Sequence, residues 1–161
     1  MSQALLATLF DQHGARLYRY AHVLLADAGA AEDAVQEAFC QLARAGRRDP
    51  ALLNVGYLTT IVRNECFSAL RRRRRQPAVP GPLLEPQAPG TSEEERLLLE
   101  SAMRALPPDQ REVVYLKVFE GLTFHEIGER CGVSLNTAAS RYRYALTALR
   151  ASLEIGERKH D

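Results

Sequence analysis

The sequence predicts an all-α protein built from two small helical domains. Three observations carry that expectation. Apolar residues recur at helical spacing through most of the chain, and no stretch shows the alternation of a half-buried strand. Helix start and stop signals fall at the ends of those periodic runs. A proline- and glycine-rich stretch, 76–92, separates two groups of runs and reads as a linker. The expected division is 1–75, 76–92 and 93–155.

Residues 3–25 form the first predicted helix, anchored by Leu5, Leu6, Leu9, Leu17, Tyr20, Leu24 and Leu25, with Gly14 as an expected interruption. A turn at 27–29 leads to a second helix, about Ala30–Ala45, whose stripe is Ala31, Val35, Ala38, Phe39 and Leu42. Glu32, Asp33, Gln36 and Glu37 gather on its polar side, either as a solvated face or as a docking surface for a basic helix. After a break at 46–50, a third helix runs from about Val55 to Arg75, with Leu58, Ile61, Val62, Cys66, Ala69 and Leu70 turned inward. It ends in five consecutive arginines, Arg71, Arg72, Arg73, Arg74 and Arg75. A cationic helix C-terminus favours the macrodipole. Five charges in a row exceed that need and suggest phosphate contacts.

The linker holds five of the chain's eight prolines, and proline removes helix hydrogen bonds and stiffens the backbone. Ser92 and Glu95 have capping-box spacing and open a helix to about Ala105. Pro108 suits the first position of the next helix, which continues through Val113, Val114, Leu116, Val118 and Phe119 to Gly121. Thr123 and Glu126 form a further capping-box pair, and Gly132 follows Cys131 as a left-handed C-terminal cap.

Ser134 caps the last helix. One side of it carries Leu135, Ala138, Ala139, Tyr142, Ala145, Leu146, Leu149 and Leu153; Asn136, Thr137, Ser140, Arg143, Tyr144 and Thr147 lie opposite. Short hydrogen-bonding side chains and arginine near a helix N-terminus suit base edges and phosphates in a major groove. The plainer reading is a helical hairpin with a solvated face.

The chain has 161 residues, 46% hydrophobic and 25% charged, which is ordinary for a globular protein. No apolar run approaches a membrane span and no leader is evident, so the expected location is the cytoplasm, without membrane insertion. Cys40, Cys66 and Cys131 are odd in number and widely spaced, and each falls among apolar residues as a small buried thiol. The four histidines are equally scattered, so no metal or other cofactor is expected. The net charge of +1 hides an asymmetry: residues 1–75 carry 11 Lys/Arg against 7 Asp/Glu, the rest 10 against 13. Any polyanion binding must therefore rest on local patches. No pairing of nucleophile, base or metal ligands suggests an enzyme.

The stretch LPPDQREVVYLKVFEGLTFHEIGERCGVSLNTAASRYRYALTALR resembles region four of bacterial extracytoplasmic-function sigma factors. AEDAVQEAFCQLAR followed by GYLTTIVRNECFSALRRRRR resembles their region two. The resemblance implies a protein that binds core RNA polymerase, at the clamp of the β' subunit and the β flap, and directs it to promoter DNA. It places Asp33, Gln36, Glu37 and Phe39 in the clamp-docking segment. Tyr57, Arg63 and Asn64 fall in the stretch that captures the unpaired minus-ten strand, with Asn64 gripping a flipped base. Asn136, Thr137, Ser140, Arg141, Arg143 and Tyr144 fall in the helix that reads the minus-thirty-five element. An anti-sigma factor is an expected regulator. Two features depart from the family pattern: Tyr57 stands where tryptophan is common, and Ala139 where Lys or Arg is frequent. The competing function is a helix-turn-helix regulator that acts without polymerase.

Overall fold

The structure, a computed structural model, describes residues 2–46, 53–73 and 92–158, which form seven helices. No strand occurs among the described residues. The chain divides into two compact units, Met1–Gly81 and Pro82–Asp161.

The first unit contains α1 (Gln3–Leu25), α2 (Ala28–Ala45) and α3 (Val55–Arg72), each packed on the other two. Leu17, Leu24, Leu42, Val62 and Cys66 are almost completely buried at its centre. The Ser2 hydroxyl caps α1, accepting from the Leu5 N–H. Gly14 does not interrupt this helix. It is buried against the Phe10 ring, and tertiary packing outweighs the weak helix propensity of glycine.

The α1–α2 reversal is tight. Ala26 adopts the left-handed conformation at φ 55° and Asp27 then caps α2, so α2 begins at Ala28, two residues earlier than expected. Left-handed backbone costs a residue with a Cβ roughly 1–2 kcal/mol, so the reversal needs support. That support comes from α3. Arg73 donates to the Leu25 carbonyl at 3.2 Å and to Asp27 Oδ2 at 3.0 Å, while Asp27 Oδ1 accepts from the Ala30 N–H. The helix itself ends at Arg72, with Arg73 as its cap; Arg74, Arg75 and residues 76–91 of the expected linker lie outside the described residues.

The second unit contains α4 (Glu93–Ala105), α5 (Pro108–Val118), α6 (Phe124–Cys131) and α7 (Leu135–Arg158). α7 packs on the other three, and α5 also touches α6. Both expected capping boxes, Ser92–Glu95 and Thr123–Glu126, are formed. α5 is the strut of this unit, buried continuously from Arg111 to Leu116. Burial, with Arg104 nearby, pushes the Arg111 guanidinium down to about 10, and Arg111 donates to the Arg104 carbonyl at 3.3 Å. Glu112 is fully buried and accepts from the Cys131 thiol at 3.2 Å. α7 runs on to Arg158, and near its end Gly156 packs so close to Leu98 of α4 that a Cβ there would sit 2.8 Å from the leucine side chain.

All three cysteines are free thiols, but only Cys66 and Cys131 are buried. Cys40, expected among them, is exposed; one step beyond Phe39 on α2, it turns away from the stripe ending at Leu42. No described helix is long and apolar enough to cross a membrane.

Candidate nucleic-acid interface

The second unit presents its polar side chains through a helix-turn-helix. Glu126 accepts the Thr123 N–H and donates its own N–H to the Thr123 hydroxyl, which holds its carboxyl below the usual range. At the other end of α6, Gly132 turns the chain at φ 69°, and the Val133 N–H returns to the Gly128 carbonyl at 2.9 Å. Gly128 is the contact point of the two helices. A Cβ there would sit 2.7 Å from the Val133 carbonyl oxygen and 3.4 Å from the Leu135 nitrogen. A side chain at this position would force the turn open.

Ser134 caps α7, accepting from the Thr137 N–H at 3.0 Å. Ala138, Ala145 and Leu149 are buried, while Asn136, Thr137, Arg143, Tyr144 and Thr147 are exposed, as the helical period requires. Leu135 departs from the expected stripe. It is 48% exposed, because its backbone nitrogen, not its side chain, faces Gly128. Ala139 is half-buried, on the flank that the stripe gave it. Arg143 donates to the Ser140 hydroxyl at 3.4 Å and lies 5.7 Å from the Tyr144 ring centre. That contact pre-positions a planar donor beside an exposed aromatic ring. Arg141 points elsewhere, towards Asp109 at the start of α5, 3.5 Å away.

In the first unit, Tyr57, Asn64 and Arg71 recur at seven-residue spacing and so share one face of α3. Asn64 and Arg71 are exposed and Tyr57 is half-buried at the first turn, where the Asn54 side chain caps its N–H. Arg63 is steered sideways, its guanidinium 4.5 Å from the centre of the Phe67 ring. The arginine run is split. Arg71 and Arg72 are exposed, whereas Arg73 is drawn into the Asp27 contact with about a fifth of its side chain accessible.

On α2, Asp33 and Gln36 are exposed and Glu37 is half-exposed, bonded to Arg44 at 3.3 Å. That pair is solvated and worth about 0.2–1 kcal/mol, so it can yield to a partner. Phe39 packs edge-on against Phe10, with ring centres 5.4 Å apart; Phe10 itself is half exposed. Phe10 was not among the expected α1 anchors, although it stands four residues after Leu6 and seven before Leu17, the spacing of one helix face. Among the described residues no group of three or more His, Cys, Asp or Glu could hold a metal ion.

Comparisons with known proteins bear on the family and the fold. Residues 9–76 match the family described as Sigma-70 region 2, and residues 96–149 that described as Sigma-70, region 4. The ECF RNA polymerase sigma factor SigL of Mycobacterium tuberculosis is 34% identical over 163 residues, covering 94% of this chain and 90% of that protein. The RNA polymerase sigma factor CarQ of Myxococcus xanthus is 31% identical, covering 90% of this chain and 87% of its own length. Among solved structures, the sigma factor RpoE of Bartonella quintana, in complex with the anti-sigma factor NepR, matches with a TM-score of 0.70 at 26% identity. That match covers 95% of this chain and 96% of the other.

Proposed function

The chain belongs to the extracytoplasmic-function RNA polymerase sigma factors of the sigma-70 family, and from that premise we propose how its helices divide the work of promoter recognition. α2 docks core polymerase at the clamp through Asp33, Gln36, Glu37 and Phe39. α3 captures the unpaired minus-ten strand, and α7 reads the minus-thirty-five element in the duplex. The β flap engages the second unit. The observation that carries this reading is the sorting of α7 into a buried apolar side and an exposed side of Asn136, Thr137, Arg143 and Tyr144 behind the Ser134 cap.

The chemistry follows from the side chains. Extruding a base costs a few kcal/mol of stacking, which a pocket offering hydrogen bonds and an aromatic surface offsets. Asn64 supplies a donor and an acceptor for the flipped base, and Tyr57, one face-repeat away, supplies an aromatic surface. Arg71 and Arg72 neutralise phosphates at the end of the same helix. On α7, the Arg143 fork is suited to a guanine edge and the short side chains to neighbouring bases. The role is non-enzymatic: the chain positions a polymerase rather than performing a reaction.

An anti-sigma factor or another regulator controls the chain in this reading, supported by the NepR complex of the Bartonella quintana relative. Copurification with core polymerase in the absence of DNA tests the proposal. Stable association is expected; a chain that binds promoter DNA but not core polymerase would instead be a free-standing helix-turn-helix regulator.

A further inference from the structure

Two of the proposed polymerase-docking residues, Asp33 and Glu37, line a groove of about 550 Å³ between α2 and α3. Ala30 and Ala69 line it from either helix, and their short side chains leave the space open. Gln41 and Glu65 complete the rim, with the Gln41 amide donating to the Glu65 carboxylate. Three carboxylates from two helices therefore face one opening. Arg72 and Arg73 stand at one end; Arg73 is paired with Asp27 at 3.0 Å and Arg72 is exposed, so the lining carboxylates outnumber the arginines three to two.

We infer that this groove seats an arginine or lysine side chain presented by core polymerase, with Glu65 of α3 as a docking residue alongside Asp33 and Glu37. The inference rests on the polymerase-docking role proposed for α2. Charge selects the occupant: carboxylates on two walls repel a phosphate backbone and attract a cation. Shape agrees, since the methylene stem of a long basic side chain packs on alanines while its head meets the carboxylates. The arrangement makes α3 bifunctional. Asn64 looks outward to the strand while Glu65, the next residue, turns to the groove, so docking also fixes the helix that reads DNA.

The test measures affinity of the full chain for core polymerase, without DNA, for Glu65→Lys and Ala69→Leu, with thermal melting as the check on folding. Glu65→Lys is expected to weaken binding about tenfold or more, with the larger loss at low salt. Ala69→Leu should weaken it without altering charge, because it fills the groove. Glu65→Gln, which keeps a partner for Gln41, serves if Glu65→Lys does not fold and should lose less. Unchanged affinity for folded Glu65 variants and Ala69→Leu, beside a clear loss for the Asp33→Lys/Glu37→Lys double variant, overturns the inference and spares the docking role. If that double variant also binds normally, the docking role fails too. Tighter binding of Glu65→Lys to single-stranded minus-ten DNA, at unchanged polymerase affinity, would assign the groove to nucleic acid and overturn the inference as well.

Discussion

Two glycines in helix interiors show how a single missing Cβ can act with opposite sign. At Gly14 an added methyl would meet the Phe10 ring at 3.5 Å, an ordinary contact. Gly14→Ala is therefore expected to stabilise the chain by about 0.5–1 kcal/mol through the unfolded state. At Gly128 the same methyl would sit 2.7 Å from a backbone oxygen that cannot move without opening the turn. Gly128→Ala should cost about 1–3 kcal/mol, and a bulkier residue more. Urea denaturation of the two variants checks both signs. Gly14 reads in the sequence as a break and Gly128 gives no warning there, since a glycine's value depends on which neighbour approaches it.

Helices that begin with a local signal were legible from the chain. Ser92, Thr123 and Ser134 each cap the helix expected of them, because capping chemistry is settled within four residues. Features that need a second helix were not. The exposure of Leu135, the inward turn of Arg73 and the place of Glu65 all depend on packing between elements. The capping of α6 carries a pH dependence. The Glu126 carboxyl is held below 4.5, chiefly by the Thr123 backbone N–H, so its contribution to stability is present above 4.5 and lost as pH falls through the lowered value. Glu126→Ala should melt at a lower temperature than the parent at pH 7, and the difference should shrink on acidification below about pH 4. Thermal melts at a series of pH values read this directly. On α3, replacing Arg71 and Arg72 with serine should weaken promoter binding about equally for all sequences and flatten the salt slope by roughly one unit per lost contact. A slope equal to that of the parent would return both residues to a solvated helix end.

Across the whole molecule, the proposed division of labour makes the two units separable by what each variant loses. Arg143→Ala should cost about 1–3 kcal/mol at the preferred minus-thirty-five sequence and relax preference at one or two positions. Asn64→Ala should spare closed binding to the duplex and impair strand opening, because its partner is exposed only after melting. Binding and permanganate reactivity of unpaired thymines, measured for both variants on one promoter, distinguish the two. Equal loss of duplex binding with normal opening by Asn64→Ala would defeat the assignment. The two-unit order was legible because sigma regions two and four carry their motifs in continuous stretches, whereas the groove of the first unit joins residues more than twenty positions apart.

Arg73 joins the end of α3 to the α1–α2 reversal across 48 residues for Leu25 and 46 for Asp27. Contacts of such long sequence separation are made only after the intervening chain has ordered, since closure entropy must be met first. The clasp is therefore expected late in folding and early in unfolding. Arg73→Ser should leave the refolding limb of a chevron plot nearly unchanged and raise the unfolding limb, shortening the lifetime of the native state more than it slows its formation. One arginine, next to the exposed Arg71 and Arg72, thus sets how long the first unit persists between encounters with its partners.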